Sequence, residues 1–85
     1  MARIETQQVR IRLSGTPEEA VLLLRDGELL ALVRRLDPAG YVNDPDIAGK
    51  WTVELGFGAC AVGNRTVLFE TLDEAIGWAD QRSRF

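Results

Sequence analysis

Histidine is absent from this sequence of 85 residues, and cysteine occurs once, as Cys60. The missing histidine removes the commonest general base and the commonest transition-metal ligand. A single cysteine cannot form an intramolecular disulfide, and no histidine is present to activate its thiol. Because Cys60 stands between Ala59 and Ala61, we predict a small core or strand residue. We expect a protein that is not an enzyme and that binds no cofactor and no metal ion.

An excess of charge of one sign is also missing. The chain has 10 basic and 13 acidic residues, for a formal net charge of −3. This balance gives no electrostatic attraction to nucleic acid or to an anionic membrane. The longest apolar runs, 21–24 and 29–33, are too short to span a bilayer. No N-terminal signal-peptide pattern is visible, so we expect a cytoplasmic protein that does not bind membranes.

The composition is that of an ordinary globular protein, with 46% hydrophobic and 27% charged residues. A chain of this length has room for one hydrophobic core, so residues 1–85 are predicted to form a single domain.

Alternating side chains predict several strands. Apolar residues alternate with Arg10 and Arg12 over 9–13, which is typical of a half-buried strand. A second strand is predicted over 50–57, and Gly63-Asn64 is a predicted tight turn into a third strand over 66–70. Gly56 and Gly58 indicate a bulge or bend. The side chains expected to face the core from the second strand are Trp51, Val53, Leu55 and Phe57.

A β-hairpin is predicted over 20–33, because Asp26-Gly27 is a strong signal for a type I′ turn between two apolar runs. Closing the turn with Arg25 and Glu28 defines a register that also places opposite charges across from each other. An alternative is a short helix from Thr16, where Thr16-Pro17-Glu18-Glu19 has the pattern of a capping box. The pairs expected from the hairpin register are Leu24–Leu29, Leu23–Leu30, Leu22–Ala31, Val21–Leu32, Glu19–Arg34 and Glu18–Arg35.

One helix is predicted at the C-terminal end of the chain, beginning after Thr71. Thr71-Leu72-Asp73-Glu74 is a capping box, and the residues that follow repeat with helical spacing. Arg82 and Arg84 suit the negative end of the helix dipole. The predicted apolar stripe consists of Leu72, Ala75, Ile76 and Ala79, with Trp78 at its edge.

The segment 37–49 is predicted to be irregular, because it holds two prolines and two glycines. Its three aspartates, Asp37, Asp44 and Asp46, match no EF-hand spacing, so we interpret them as turn-forming residues rather than calcium ligands. The glycines of Gly56-Phe57-Gly58 lie between two predicted strands with no helix after them, which argues against a phosphate-binding loop.

The second half of the chain contains the pattern W-x-V-E…F-x-T-x-x-E-A-x-x-W-A. It resembles the strand, strand, helix ending of small three-stranded DNA-binding domains such as those of phage integrases. The resemblance implies a helix lying across a sheet, with nucleic-acid binding as the alternative function. Such domains bind DNA with basic residues on the open sheet face, whereas that face of the second strand here is Lys50, Thr52 and Glu54. The matching positions are Trp51, Phe69, Thr71, Glu74, Ala75 and Trp78.

Together these patterns predict an α+β fold, namely a small, mainly antiparallel sheet of four to five strands with one C-terminal helix packed across one face. Both faces of the 20–33 hairpin are apolar, and a single helix covers only one of them. We therefore predict a non-catalytic interaction domain that binds a protein partner or a second copy of itself as a homodimer. A basic stripe of Arg10, Arg12, Arg34 and Arg65 would instead favour nucleic acid. The predicted interaction surface is Val21, Leu23, Leu30, Leu32 and Tyr41.

Overall fold

A computed structural model describes residues 3–13 and 15–84. Five antiparallel strands form one sheet in which every strand pairs with its neighbours in the sequence, in the order β1-β2-β3-β4-β5. The helix α1 follows the last strand, and the predicted α+β fold is confirmed. The elements are β1 (Ile4–Arg12), β2 (Pro17–Arg25), β3 (Glu28–Arg35), β4 (Trp51–Gly56), β5 (Leu68–Phe69) and α1 (Leu72–Arg82), with 3₁₀ turns at Pro38–Gly40 and Gly58–Cys60.

The turn between β2 and β3 has the predicted type I′ geometry. Asp26 has a φ of 54° and Gly27 a φ of 79°, in the left-handed region that such a turn requires at both central positions. The pairs closest to the turn, Arg25–Glu28 and Leu24–Leu29, are the predicted ones. The hairpin is therefore confirmed, and the alternative of a short helix from Thr16 is wrong.

A β-bulge changes the register of the hairpin beyond these two pairs. Leu23 lies opposite Ala31 rather than Leu30, and Val21 lies opposite Val33 rather than Leu32. The predicted pairs from Leu23 onward are therefore wrong by one residue. Since side chains alternate between the two faces of a strand, this single extra residue moves Leu32 to the face away from the helix.

A second register shift occurs where β3 pairs with β4. Val33 pairs with Val53 and Leu32 pairs with Leu55, so β4 carries one residue more than β3 between these pairs. Trp51 and Val53 face the core as predicted, but the prediction is wrong for the remaining two side chains, since Leu55 is 53% exposed and Phe57 is 46% exposed.

The irregularity predicted near Gly56 has a steric reason. A Cβ atom at Gly56 would lie 2.0 Å from the carbonyl oxygen of Cys60, in the 3₁₀ turn that follows β4. Glycine at this position lets that turn fold back against the strand, and Cys60 is fully buried as predicted.

The helix begins as the capping box predicts, because the Thr71 side chain accepts a hydrogen bond from the Glu74 amide at 3.2 Å. Ala75 and Ala79 are fully buried, and the other members of the predicted stripe pack against the same core. Small side chains at these two positions let the helix lie close to the sheet. The buried core consists of Val21, Leu23, Ala31, Val33, Trp51, Val53, Cys60, Phe69, Ala75 and Ala79.

The first and last strands differ in length from the prediction. β1 begins at Ile4, well before Val9, and Leu13 lies beyond its end with 49% of its surface exposed. β5 has only two residues. No helix among the described residues is long and apolar enough to cross a membrane.

Candidate interaction surface

The sheet has a core face, which α1 covers, and an opposite outer face. Residues that are directly paired in neighbouring strands point to the same face, so the register assigns each side chain. Leu22 pairs with Leu32, and Leu32 pairs with Leu55, across three strands of the outer face. Leu24 and Leu29 form the next pair towards the turn. We call these five residues the outer leucine patch: Leu22, Leu24, Leu29, Leu32 and Leu55.

The outer leucine patch is open to solvent. Leu55 is 53% and Leu29 is 39% exposed, and the other three leucines are partly buried. Among the described residues, none of the five belongs to the buried core or to the hydrophobic residues packed against it. An apolar patch that stays partly exposed, as this one does within residues 3–13 and 15–84, is typical of a binding surface.

The loop between β3 and β4 lies at the other end of the outer face. Leu36 is only 4% exposed, and it lines one concavity together with Tyr41, Ile47 and Arg34. Val42, another apolar residue of this loop, does not cover the sheet, since it is 73% exposed. The loop thus packs beside Arg34, towards the end of the sheet away from the hairpin turn.

Arg34 links three strands and the loop at this end. Its Nε donates to Glu54 Oε1 at 2.9 Å, and its Nη1 donates to Glu18 Oε1 at 2.9 Å and to the Tyr41 hydroxyl at 3.5 Å. Burial disfavours the charged guanidinium, but the hydrogen bonds to Tyr41, Glu54 and Glu18 outweigh it and raise the pKa of Arg34. The charge of Arg34 is therefore satisfied within the domain.

The ion pairs predicted from the unbulged register are wrong. Glu18 binds Arg34, whereas Glu19 lies 4.0 Å from Arg35. The extra residue in β3 exchanges the partners of the two glutamates. Because Arg34 and Arg35 point to opposite faces, only Arg34 takes part in the outer face.

The structure separates the residues of the predicted interaction surface. Val21 and Leu23 are 1% and 0% exposed in the core beneath α1, so a partner has no access to them in the folded domain. Leu30 is the extra residue at the bulge and packs against the core. Only Leu32 belongs to the outer leucine patch, and Tyr41 lies beside Arg34, in the loop. An interaction through the hairpin stays a prediction, but the residues that could carry it are different.

Four members of the outer leucine patch were missed. Strict alternation groups Leu32 with Val21 and Leu23, which lie in the core, and groups Leu55 with Trp51 and Val53. The sequence signal that was available is the apolar character of both faces of the hairpin. This signal indicates that the hairpin has more leucine than one helix can cover. It does not indicate where a β-bulge adds an extra residue to a strand.

The arginines that could have favoured nucleic acid do not form a stripe. Arg10 pairs with Glu19 on the core-face side of β1, and Arg12 lies on the same side. Arg34 belongs to the outer face and is bound by two carboxylates, and Arg65 lines the same concavity as Arg34. The arginines are thus divided between the two faces of the sheet and are interleaved with glutamates.

Groups with reactive chemistry lie apart from this surface. Burial raises the pKa of the Cys60 thiol, and Arg82 opposes this only in part, so the thiol is held in its protonated form. Asp37 accepts a hydrogen bond from the Ala39 amide at 3.0 Å, which is the turn-forming role predicted for it. Within residues 3–13 and 15–84, no three His, Cys, Asp or Glu side chains are grouped closely enough to hold a metal ion.

Comparison with known proteins adds no assignment: no family model, no curated protein and no solved structure matches this chain.

Proposed function

We propose that the protein is a non-catalytic interaction domain that associates with a second copy of itself through the outer leucine patch. The observation that carries this proposal is the row of paired leucines from β2 to β4, with Leu55 more than half exposed. An apolar row of this kind on a monomer leaves hydrocarbon in contact with water, and packing against another apolar surface removes that cost.

The chemistry of the outer leucine patch suits a copy of itself. A two-fold contact brings each surface against its own equivalent, so a patch with charges of one sign would be repelled. The five side chains are uncharged, and Arg34, a partly buried cation on this face, already binds Glu18 and Glu54. Two sheets can pack face to face about 10 Å apart with their leucines interdigitated.

The expected association is weak. Leu22, Leu24 and Leu32 are already partly buried by their neighbours, so a contact removes only the remaining apolar area from water. Such a small interface is typical of a transient dimer.

The test is a charge placed in the patch. Leu55→Lys places a cation in the contact on both copies and leaves the buried core unchanged. Because the charge must lose its water on association, we expect the association constant to fall by about tenfold or more. Val42→Lys makes the same kind of change at an exposed position in the loop and is the matched control. Sedimentation equilibrium of the parent and both variants measures the effect.

The proposal is wrong if the parent remains a monomer up to about millimolar concentration, where weak contacts are detected. It is also wrong if Leu55→Lys and Val42→Lys change the association constant equally.

A further inference from the structure

A second surface for self-association lies at the edge of the sheet. We propose that β1 pairs with β1 of a second copy in antiparallel orientation, which joins the two five-stranded sheets into one. This contact uses backbone hydrogen bonds rather than the outer leucine patch, and it does not depend on the function proposed above. The observation behind it is that β1 has nine residues and, within the described part of the chain, pairs with β2 alone.

The hairpin turn determines which backbone groups of β1 face the open edge. In a two-residue hairpin, Arg25 and Glu28 form the closing hydrogen-bonded pair, so the backbone of Arg25 is directed at β3. Backbone direction alternates along a strand, and the backbone of Leu24 is therefore directed at β1, where its partner is Glu5. It follows that alternate residues of β1 direct their N–H and C=O groups away from β2: Ile4, Thr6, Gln8, Arg10 and Arg12.

This edge carries charged side chains at Glu5, Arg10 and Arg12, but it lacks the backbone features that usually prevent strands from pairing. The sequence Ile4–Arg12, IETQQVRIR, contains no proline, no glycine and no lysine. Its register with β2 runs through all nine positions without a bulge, so the strand is not twisted away from a neighbour. A long regular edge of this kind is a template for another strand.

The distribution of charge favours a second copy in antiparallel orientation. Arg10 and Arg12 lie together near the end of β1, and parallel pairing in register would place each beside its equivalent. Antiparallel pairing places them at opposite ends of the contact instead. The register centred on Gln8 is the one in which all nine residues of both strands are paired, with Thr6 opposite Arg10 of the second copy.

This pairing is compatible with a contact through the outer leucine patch. The two-fold axis of the edge contact is perpendicular to the sheet, so both patches stay on the same side of the joined sheet. A face contact has its axis in the plane of the sheet. The two contacts therefore use different surfaces of the chain, and either one alone gives a dimer.

The test is residue-resolved amide hydrogen exchange of the intact protein by NMR, at concentrations from about 20 μM to about 1 mM, which covers weak dimers. We expect the amides of Thr6, Gln8 and Arg10 to become protected as the concentration rises. The amides of Glu5, Gln7 and Val9 bond to β2 and should be protected throughout. The Leu55→Lys variant should show the same pattern, because it blocks only the patch, so the two proposals can fail separately.

Two kinds of variant at Gln8 complete the test. Gln8→Pro removes an N–H that is directed at the edge, and we expect the association constant to fall by about tenfold, since two symmetric hydrogen bonds are lost. In a dimer of the Gln8→Lys variant, or of the Gln8→Glu variant, two like charges lie opposite each other at position 8. Each variant alone should associate about fivefold more weakly than the parent. An equimolar mixture of these two variants should recover the association. Edge amides that exchange freely at about 1 mM, or a mixture no stronger than its components, would overturn the proposal.

Discussion

Arg25, the last residue of β2, forms an ion pair with Asp80 near the end of α1. The guanidinium also donates from Nε to the Ser83 hydroxyl at 3.1 Å, and Arg84 donates to the same Asp80 carboxylate at 2.6 Å. These contacts join residues that are 55 and 58 positions apart in the sequence. They hold the C-terminal end of the helix against the hairpin, while Phe69 and Trp78, with ring centroids 5.5 Å apart, join β5 to the helix.

Asp80→Asn should make the protein less stable at neutral pH, with a difference that disappears in acid. Hydrogen bonds from Arg84 and then Arg25 lower the pKa of Asp80 below its ordinary value of 3.8. A carboxylate whose pKa is lower in the folded state than in the unfolded chain stabilises the fold at pH values above its unfolded-state pKa. This contribution is lost as the pH falls through the pKa of Asp80 in the folded state. Denaturation by urea at pH 7 and near pH 2 measures the difference between parent and variant.

Asp46→Asn is the control for this experiment, since Asp46 is an exposed residue of the loop. It should leave the free energy of unfolding close to that of the parent at both pH values. A difference between parent and Asp80→Asn that is equally large in acid would show that the carboxylate charge does not matter.

The adjacent arginines at the end of β3 should respond differently to the same substitution. Arg34→Met leaves Glu18 and Glu54 without their partly buried cation, and we expect a loss of about 2 kcal/mol in the free energy of unfolding. Arg35→Met breaks only a contact of 4.0 Å to an exposed glutamate, and the expected loss is at most about 0.5 kcal/mol. Urea denaturation of both variants at pH 7 provides the comparison. Equal effects of the two substitutions would show that the ion pairs of Arg34 with Glu18 and Glu54 do not stabilise the fold.

Two glycines should also show opposite effects when replaced by alanine. Gly77 is exposed on α1, and a Cβ atom there meets nothing within 4 Å, so Gly77→Ala should stabilise the protein by about 0.5–1 kcal/mol. Gly56→Ala drives a Cβ into the backbone of Cys60 and should cost about 3 kcal/mol or more. Thermal unfolding followed by circular dichroism gives both values. A Gly56→Ala variant as stable as the parent would show that the turn after β4 does not pack against the strand.

Local chemistry was sufficient to predict the elements themselves. Asp26-Gly27 determined the hairpin turn because few residues tolerate positive φ at both central positions, and the Thr71 capping box determined where the helix begins. The stripe of Ala75, Ile76 and Ala79 determined which side of the helix is buried. The capping box at Thr16 has the same local pattern, yet Pro17–Arg25 is a strand. A capping box therefore determines a helix only where the residues after it also repeat with helical spacing.

Only the tertiary structure decided which face of the sheet Leu32 and Leu55 occupy. Side chains in a strand alternate between the two faces. An extra residue in a strand therefore reverses the face of every residue beyond it, and β3 and β4 each contain one such residue. The pairing of Arg34 with Glu18, and the exposure of the outer leucine patch, follow from the same two bulges. A bulge is fixed by how neighbouring strands and the helix pack together, and a single strand's sequence carries no record of that packing.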